Sequence, residues 1–129
     1  MATLFSKIVS GEIPCHKIAE NDKFLAFLDI MPLAKGHTLV IPKIEVDYFF
    51  DLEDEYLSEI NFFAKSVAAQ ILKAIPCKRI GVAIIGLEVP HAHMHLVPLN
   101  NVSDINFERP KMKVTQNELA EVADLITQA

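Results

Sequence analysis

Apolar positions along the chain switch between two periods, and the switches mark its elements. Leu4, Phe5, Ile8 and Val9 recur at helical spacing, and Gly11 follows as a stop, which predicts a short first helix. Cys15 to Glu20 and Phe24 to Asp29 read as two strands around an Asn21-Asp22 turn. After the loop Met31 to Gly36, the β-rich run His37-Thr38-Leu39-Val40-Ile41 predicts a third strand that ends at Pro42. Asp47 to Phe50 reads as one helical turn. Leu57, Ile60, Ala64, Val67, Ala68, Ile71 and Ile75 then trace one face of a long helix. The acids Asp51, Glu53, Asp54 and Glu55 suit its positive N-terminal end, and Pro76 stops it. Arg79 to Gly86 and His91 to Leu99 predict two further strands. Thr115-Gln116-Asn117-Glu118 forms a capping box before a last helix marked by Leu119, Val122, Ala123 and Ile126.

The order is a helix, three strands, a long helix, two strands and a helix. Strands and helices segregated in this way predict an α+β fold with an antiparallel sheet, not the repeated βαβ units of a doubly wound nucleotide fold. With 129 residues and neither repeat nor linker, the chain reads as a single domain over 1–129. Hydrophobic residues make up 51% and mean hydropathy is +0.28, enough for a real core. The net charge of −5 argues against a general nucleic-acid binder, which needs a basic face, but leaves room for a local anion site. Cys15 and Cys77 form no CxxC pair and read as reduced thiols. The apolar run Ile80 to Leu87 is too short to span a membrane, and Met1 to Lys7 lacks the pattern of a secretory leader, so a cytoplasmic location is expected. The apolar helix from Asp54 to Ile75 and the strand Arg79 to Gly86 suggest a homodimer in which two sheets continue each other.

The chemistry lies in Pro90-His91-Ala92-His93-Met94-His95-Leu96-Val97-Pro98, where three of the five histidines fall at period two. On a strand, His91, His93 and His95 share one face and Ala92, Met94 and Leu96 the other. A chance His-x-His-x-His is expected only about 0.007 times at this histidine content. Plain core or surface histidines are one reading, costly because buried ring nitrogens need partners. A metal centre is a second, with rings at i and i+2 sharing an ion and His37 or Glu88 completing the shell. Phosphate chemistry is the third. Imidazole is a good neutral nucleophile near pH 7, and a row of rings supplies attack, proton donation and charge stabilisation together.

The run His91-Ala92-His93-Met94-His95-Leu96-Val97 resembles the His-φ-His-φ-His-φ-φ signature of the histidine triad (HIT) superfamily, in its nucleotide hydrolase and transferase branch. Leu4-Phe5-Ser6-Lys7-Ile8-Val9-Ser10-Gly11-Glu12-Ile13-Pro14 looks like the family's opening segment. Phe27-Leu28-Asp29-Ile30-Met31-Pro32 and Gly36-His37-Thr38-Leu39-Val40-Ile41-Pro42-Lys43 look like its second block. The resemblance covers most of 4–99 and leaves 100–129 as a C-terminal extension with a helix. It implies a five-stranded antiparallel sheet with one long and additional short helices, and a homodimer. It also implies hydrolysis or nucleotidyl transfer at the α-phosphate of a purine nucleoside phosphoramidate, a nucleotidylated amine or a dinucleoside polyphosphate, through a nucleotidyl-histidine intermediate. No cofactor is implied, and neither nucleic acid nor a membrane is an expected partner. A non-catalytic nucleotide-binding protein of the same fold, or a metal-dependent hydrolase using the same histidines, are the alternatives.

By this resemblance His93 is the nucleophile, and His95 protonates the leaving group or holds a phosphoryl oxygen. His91 orients His93, partly through its backbone carbonyl, and His37 is the separate fourth histidine that supports the triad. Asp29 accepts from the ribose hydroxyls, while Phe5, Ile8, Phe27 and Ile30 line the base pocket. Lys35, Lys43 and Arg109 read as surface cations, and His16 as solvated. Two departures stand out. Ile84-Ile85-Gly86-Leu87-Glu88-Val89-Pro90 replaces a longer Asn- and Gly-rich loop and sets Glu88 near the phosphate. Thr3 and Ser6 stand where some members carry a zinc-binding Cys pair, so no metal is expected.

Overall fold

A computed structural model describes residues 3–129. The elements are α1 (Leu4–Ser10), β1 (Lys17–Glu20), β2 (Phe24–Leu28), β3 (Thr38–Pro42), α2 (Asp54–Ala74), β4 (Arg79–Ala83), β5 (Met94–Leu99) and α3 (Gln116–Thr127), with short 3-10 turns at Phe49–Asp51 and Val102–Ile105. The five strands form one sheet in the order β1-β2-β3-β5-β4, and every neighbouring pair is antiparallel. This is the α+β architecture that the alternation of periods predicts.

Strand pleating divides the core in two. Phe24, Ala26, Leu28, Val40, Met94 and Leu96 face the helices and pack on Ile60, Val67 and Ile71 of α2 and on Leu119, Ala123 and Ile126 of α3. Leu25, Phe27, Leu39 and Ile41 face the other way and pack on Phe5 of α1. That second face carries only one short helix, so part of it is open to build a pocket. Thr3 caps α1 by accepting from the Ser6 N–H, and Gly11 ends it at φ 87°, a conformation that a side chain would strain. The Thr115–Glu118 capping box forms as expected at α3.

Three strand limits differ from the pattern by two residues or more. The triad strand begins at Met94, not at His91, because β3 pairs with β5 only from Thr38↔Leu96 to Val40↔Met94. The chain before Met94 leaves the ladder, and the Ala92 N–H donates instead to the Val46 carbonyl. With that partner gone, β4 stops at Ala83, opposite His95, and Ile84 to Gly86 run on unpaired. The first strand begins at Lys17, past Pro14, with a bulge between Lys17 and Ala19. Pro98 is tolerated in β5 because it lies beyond the β3 pairing, where the missing N–H costs no ladder bond.

Candidate active site

The alternation of the histidine run survives although most of it precedes the strand. Ala92, Met94 and Leu96 enter the large core, while the rings stack along the opposite face. His93 and His95 lie 5.0 Å apart between centroids, and His95 and His37 5.2 Å. Phe5 closes the other end, edge-on to His91 at 5.9 Å and to His93 at 5.1 Å. The order along the row is His91, His93, His95, His37. All four are buried, and among the described residues no buried side-chain polar atom lacks a partner.

Hydrogen-bond partners assign the proton on each ring, because a carbonyl only accepts and a backbone N–H only donates. The Leu33 N–H donates to His37 Nδ1 at 3.0 Å, so the proton of neutral His37 is on Nε2. That Nε2–H donates to His95 Nδ1 at 2.9 Å, so neutral His95 carries its proton on Nε2. His93 Nδ1–H donates to the His91 carbonyl at 2.7 Å, which leaves Nε2 as its lone-pair nitrogen. His91 Nε2–H donates to the Pro42 carbonyl at 2.8 Å, so its Nδ1 accepts from the Thr3 hydroxyl at 3.1 Å. Backbone groups therefore present a bare nitrogen on His93 beside an N–H on His95.

Burial keeps the supporting rings neutral. It pushes His37 down to about 4, helped by the charge of Lys111. It pushes His95 down to about 3, with His37, His93 and Lys111 adding to the effect. His91 is lowered by burial against the opposing pull of its bond to Pro42 and of Glu45. Asp29 is raised, chiefly by burial, although the Met31 N–H and Lys111 favour its charged form.

Thr3 and Ser6 do more than begin a helix. Ser6 donates to the Glu45 carboxylate in a short hydrogen bond, the Thr3 N–H reaches the same oxygen at 3.0 Å, and both hydroxyls lie within 3.1–3.4 Å of His91 Nδ1. The start of α1, the end of β3 and the triad are tied together there.

A pocket of about 270 Å³ opens over this row. Its walls include Phe5, Ile8, Phe27, Asp29, Ile30 and Glu88, together with His93 and His95. The residues expected to hold a nucleoside thus meet the residues expected to act on its phosphate. His37 and His91 lie behind the lining and reach it through their hydrogen bonds to His95 and His93. Asp29 Oδ1 accepts from the Met31 N–H at 2.9 Å, and its Oδ2 lies 3.7 Å from His37 Nε2.

Asp29, His37 and His95 offer ligand atoms within 4.8 Å of one another, the one set among the described residues that suits a metal. The two ring nitrogens in that set already face each other in a hydrogen bond, which an ion would have to replace. His91 Nε2 and His93 Nδ1 are each taken by a different backbone carbonyl, so those two nitrogens are not turned toward one point. Lys43 pairs with Glu20 at 2.8 Å, Arg109 with Asp104 at 3.6 Å, and Lys35 lines a separate cavity against α3. His16 is not simply solvated: its Nε2 meets Gln116 Oε1 at 2.7 Å.

Two site residues escape the sequence pattern. Phe107 packs edge-on against His95, with centroids 4.6 Å apart, and Lys111 lines the pocket. Both lie in the irregular segment before α3, where no period marks a face.

Comparisons with known proteins bear directly on this arrangement. The HIT domain model matches residues 10–102. An adenosine 5'-monophosphoramidase of Schizosaccharomyces pombe is 42% identical over 106 residues, 78% of this chain and 77% of that protein. Another, of Saccharomyces cerevisiae, is 38% identical over 102 residues, 75% of this chain and 62% of that protein. Among solved structures, a HIT-like protein of Bartonella henselae superposes with a TM-score of 0.85 at 30% identity, covering 98% of this chain and 95% of its own. The sheet order, the row of rings and these likenesses agree: the chain belongs to the HIT family.

Proposed function

We propose that this protein hydrolyses a purine nucleoside phosphoramidate or a nucleotidylated amine through a covalent nucleotidyl-His93 intermediate. One observation carries the reading: the His93–His91 carbonyl bond leaves a lone pair on a ring that lines a nucleoside-sized pocket. The similarity to two adenosine 5'-monophosphoramidases supports the choice of a P–N bond and of adenine.

His93 Nε2 attacks the α-phosphorus, and the N–P bond forms as the P–N electron pair leaves with the amine. The amine takes up one proton at the solvent-facing mouth. Water then attacks phosphorus, the N–P bond electrons return to Nε2, and one proton is released with the nucleoside monophosphate. His95, held neutral, is a poor acid; its Nε2–H suits a phosphoryl oxygen, where it stabilises the charge that develops in the transition state. His37 and His91 are positioning residues for His95 and His93. Asp29 offers the carboxylate for two vicinal ribose hydroxyls.

The test is turnover of adenosine phosphoramidate and adenylylated lysine, with dinucleoside polyphosphates for comparison. His93→Ala should lose roughly a thousandfold or more in kcat, and wild type quenched at alkaline pH, where a nucleotidyl-histidine bond survives, should carry a nucleotidyl adduct by mass spectrometry. Near-normal hydrolysis by His93→Ala would sink the covalent route. Loss of wild-type activity in EDTA would favour a metal at Asp29, His37 and His95 instead.

A further inference from the structure

We propose that Lys111, carried by the segment between the Val102–Ile105 turn and α3, is the cation that binds the substrate's phosphate in this pocket. The inference rests on the nucleotide reading above and adds a residue that neither the histidine pattern nor the family match at 10–102 includes.

The argument begins with charge. A nucleoside 5'-phosphoryl group brings at least one negative charge to a pocket whose walls already hold Asp29 and Glu88. The rings beneath it do not balance that charge, since burial holds His37 and His95 neutral at pH 7. Of the residues that line the pocket, Lys111 is the one lysine or arginine. The other nearby cations are committed elsewhere, Lys43 to Glu20 and Arg109 to Asp104, and Lys35 borders a different cavity. Lys111 itself joins no ion pair among the described residues.

Position supports the same reading. Lys111 lines the pocket together with Asp29, His93 and His95, and its field reaches Asp29, His37 and His95. The phosphate of a nucleotide whose ribose meets Asp29 and whose phosphorus meets His93 therefore lies within its influence. The segment is held at two points. Phe107 packs on His95 and His37, with centroids 4.6 Å and 6.2 Å away, and the Met112 N–H donates to the Pro32 carbonyl at 2.9 Å, in the loop after Asp29. Lys111 is half-buried between these anchors. A flexible stem with three donors can follow the phosphoryl group from substrate to intermediate.

Isothermal titration of AMP and of adenosine against wild type, Lys111→Gln and Lys111→Arg tests this. Lys111→Gln should weaken AMP about tenfold or more and leave adenosine within about twofold, as a lost charge-assisted contact requires. Lys111→Arg should recover most of the AMP affinity, because it restores charge without restoring shape. The wild-type preference for AMP over adenosine should shrink as salt rises, and that dependence should flatten in Lys111→Gln. Equal losses for both ligands in Lys111→Gln would make Lys111 a packing residue and overturn the proposal, as would no loss for either. Wild type that binds neither ligand would overturn the nucleotide reading itself, and the Lys111 proposal with it.

Discussion

At the scale of single residues, protonation is set by backbone groups rather than by charged side chains. Leu33 N–H, His91 C=O and Pro42 C=O each fix one ring, and burial keeps the supporting rings uncharged. This has a consequence for stability. His37 and His95 stay neutral in the folded protein down to about 4 and about 3, whereas in the unfolded chain they take up protons near pH 6.5. Between those limits the unfolded state binds more protons, so folding stability is full above pH 6.5 and falls as pH drops toward 4. Each ring contributes a slope of up to about 1.4 kcal/mol per pH unit. Urea unfolding at pH 7 and pH 5 should show a smaller acid loss for His95→Gln than for wild type. Equal losses would mean that His95 is not held neutral.

Glu88 adds a second expectation at this scale. It lines the pocket mouth and is exposed, on the same lining as Lys111 but of opposite sign. An anionic leaving group there meets like-charge repulsion of about 1 kcal/mol, whereas a cationic amine is tolerated. Glu88→Ser should raise dinucleoside polyphosphate cleavage relative to amine-linked substrates. A parallel change in both substrate classes would reduce Glu88 to a turn residue.

At the scale of elements, what was legible in the sequence is what repeats. The heptad-like face of α2 from Ile60 to Ile71, the continuous apolar run of Phe24 to Leu28 and the capping box at Thr115 are all local patterns, and each produced its element. The His-x-His-x-His run located the site because period two survives in extended chain even outside a ladder. The start of β5 was not legible, since it depends on where β3 stops pairing, fifty residues away in sequence. The same holds for Phe107 and Lys111. Their segment has no period, and it reaches the rings only because α3 packs on the core beyond it and Met112 bonds to Pro32. The hydroxyls of Thr3 and Ser6 were noticed only for what they replaced. Their bonds to His91 and Glu45 required the tertiary structure.

At the scale of the whole molecule, the outer edge of the sheet is incomplete. β4 pairs on one side only; its Val82 is exposed, as are Ile84, Ile85 and Leu87 beyond it, Leu87 at 88%. A long apolar edge left open invites pairing with another strand, and a second copy of β4 related by a two-fold axis would continue the sheet. The protein should therefore scatter light as a particle of about twice 14.4 kDa at micromolar concentration. Val82→Lys should shift it toward the monomer. A wild-type particle of single-chain mass would show that this edge stays solvated.

The tie between Thr3, Ser6, Glu45 and His91 has a further bearing on how the molecule comes apart. α1 has seven residues, too few to stand as a helix alone, and it persists through its cap and its contact with the sheet. The same helix supplies Phe5 and Ile8 to the pocket, and its cap holds the ring of His91, whose backbone carbonyl accepts from His93 Nδ1–H. Fraying of these roughly two turns would remove the wall formed by Phe5 and Ile8 and loosen the support of the proposed nucleophile together, while the sheet and α2 remained intact. On the proposed mechanism, loss of the amino-terminal turns should abolish activity before the sheet and α2 unfold, which hydrogen exchange followed alongside turnover would test.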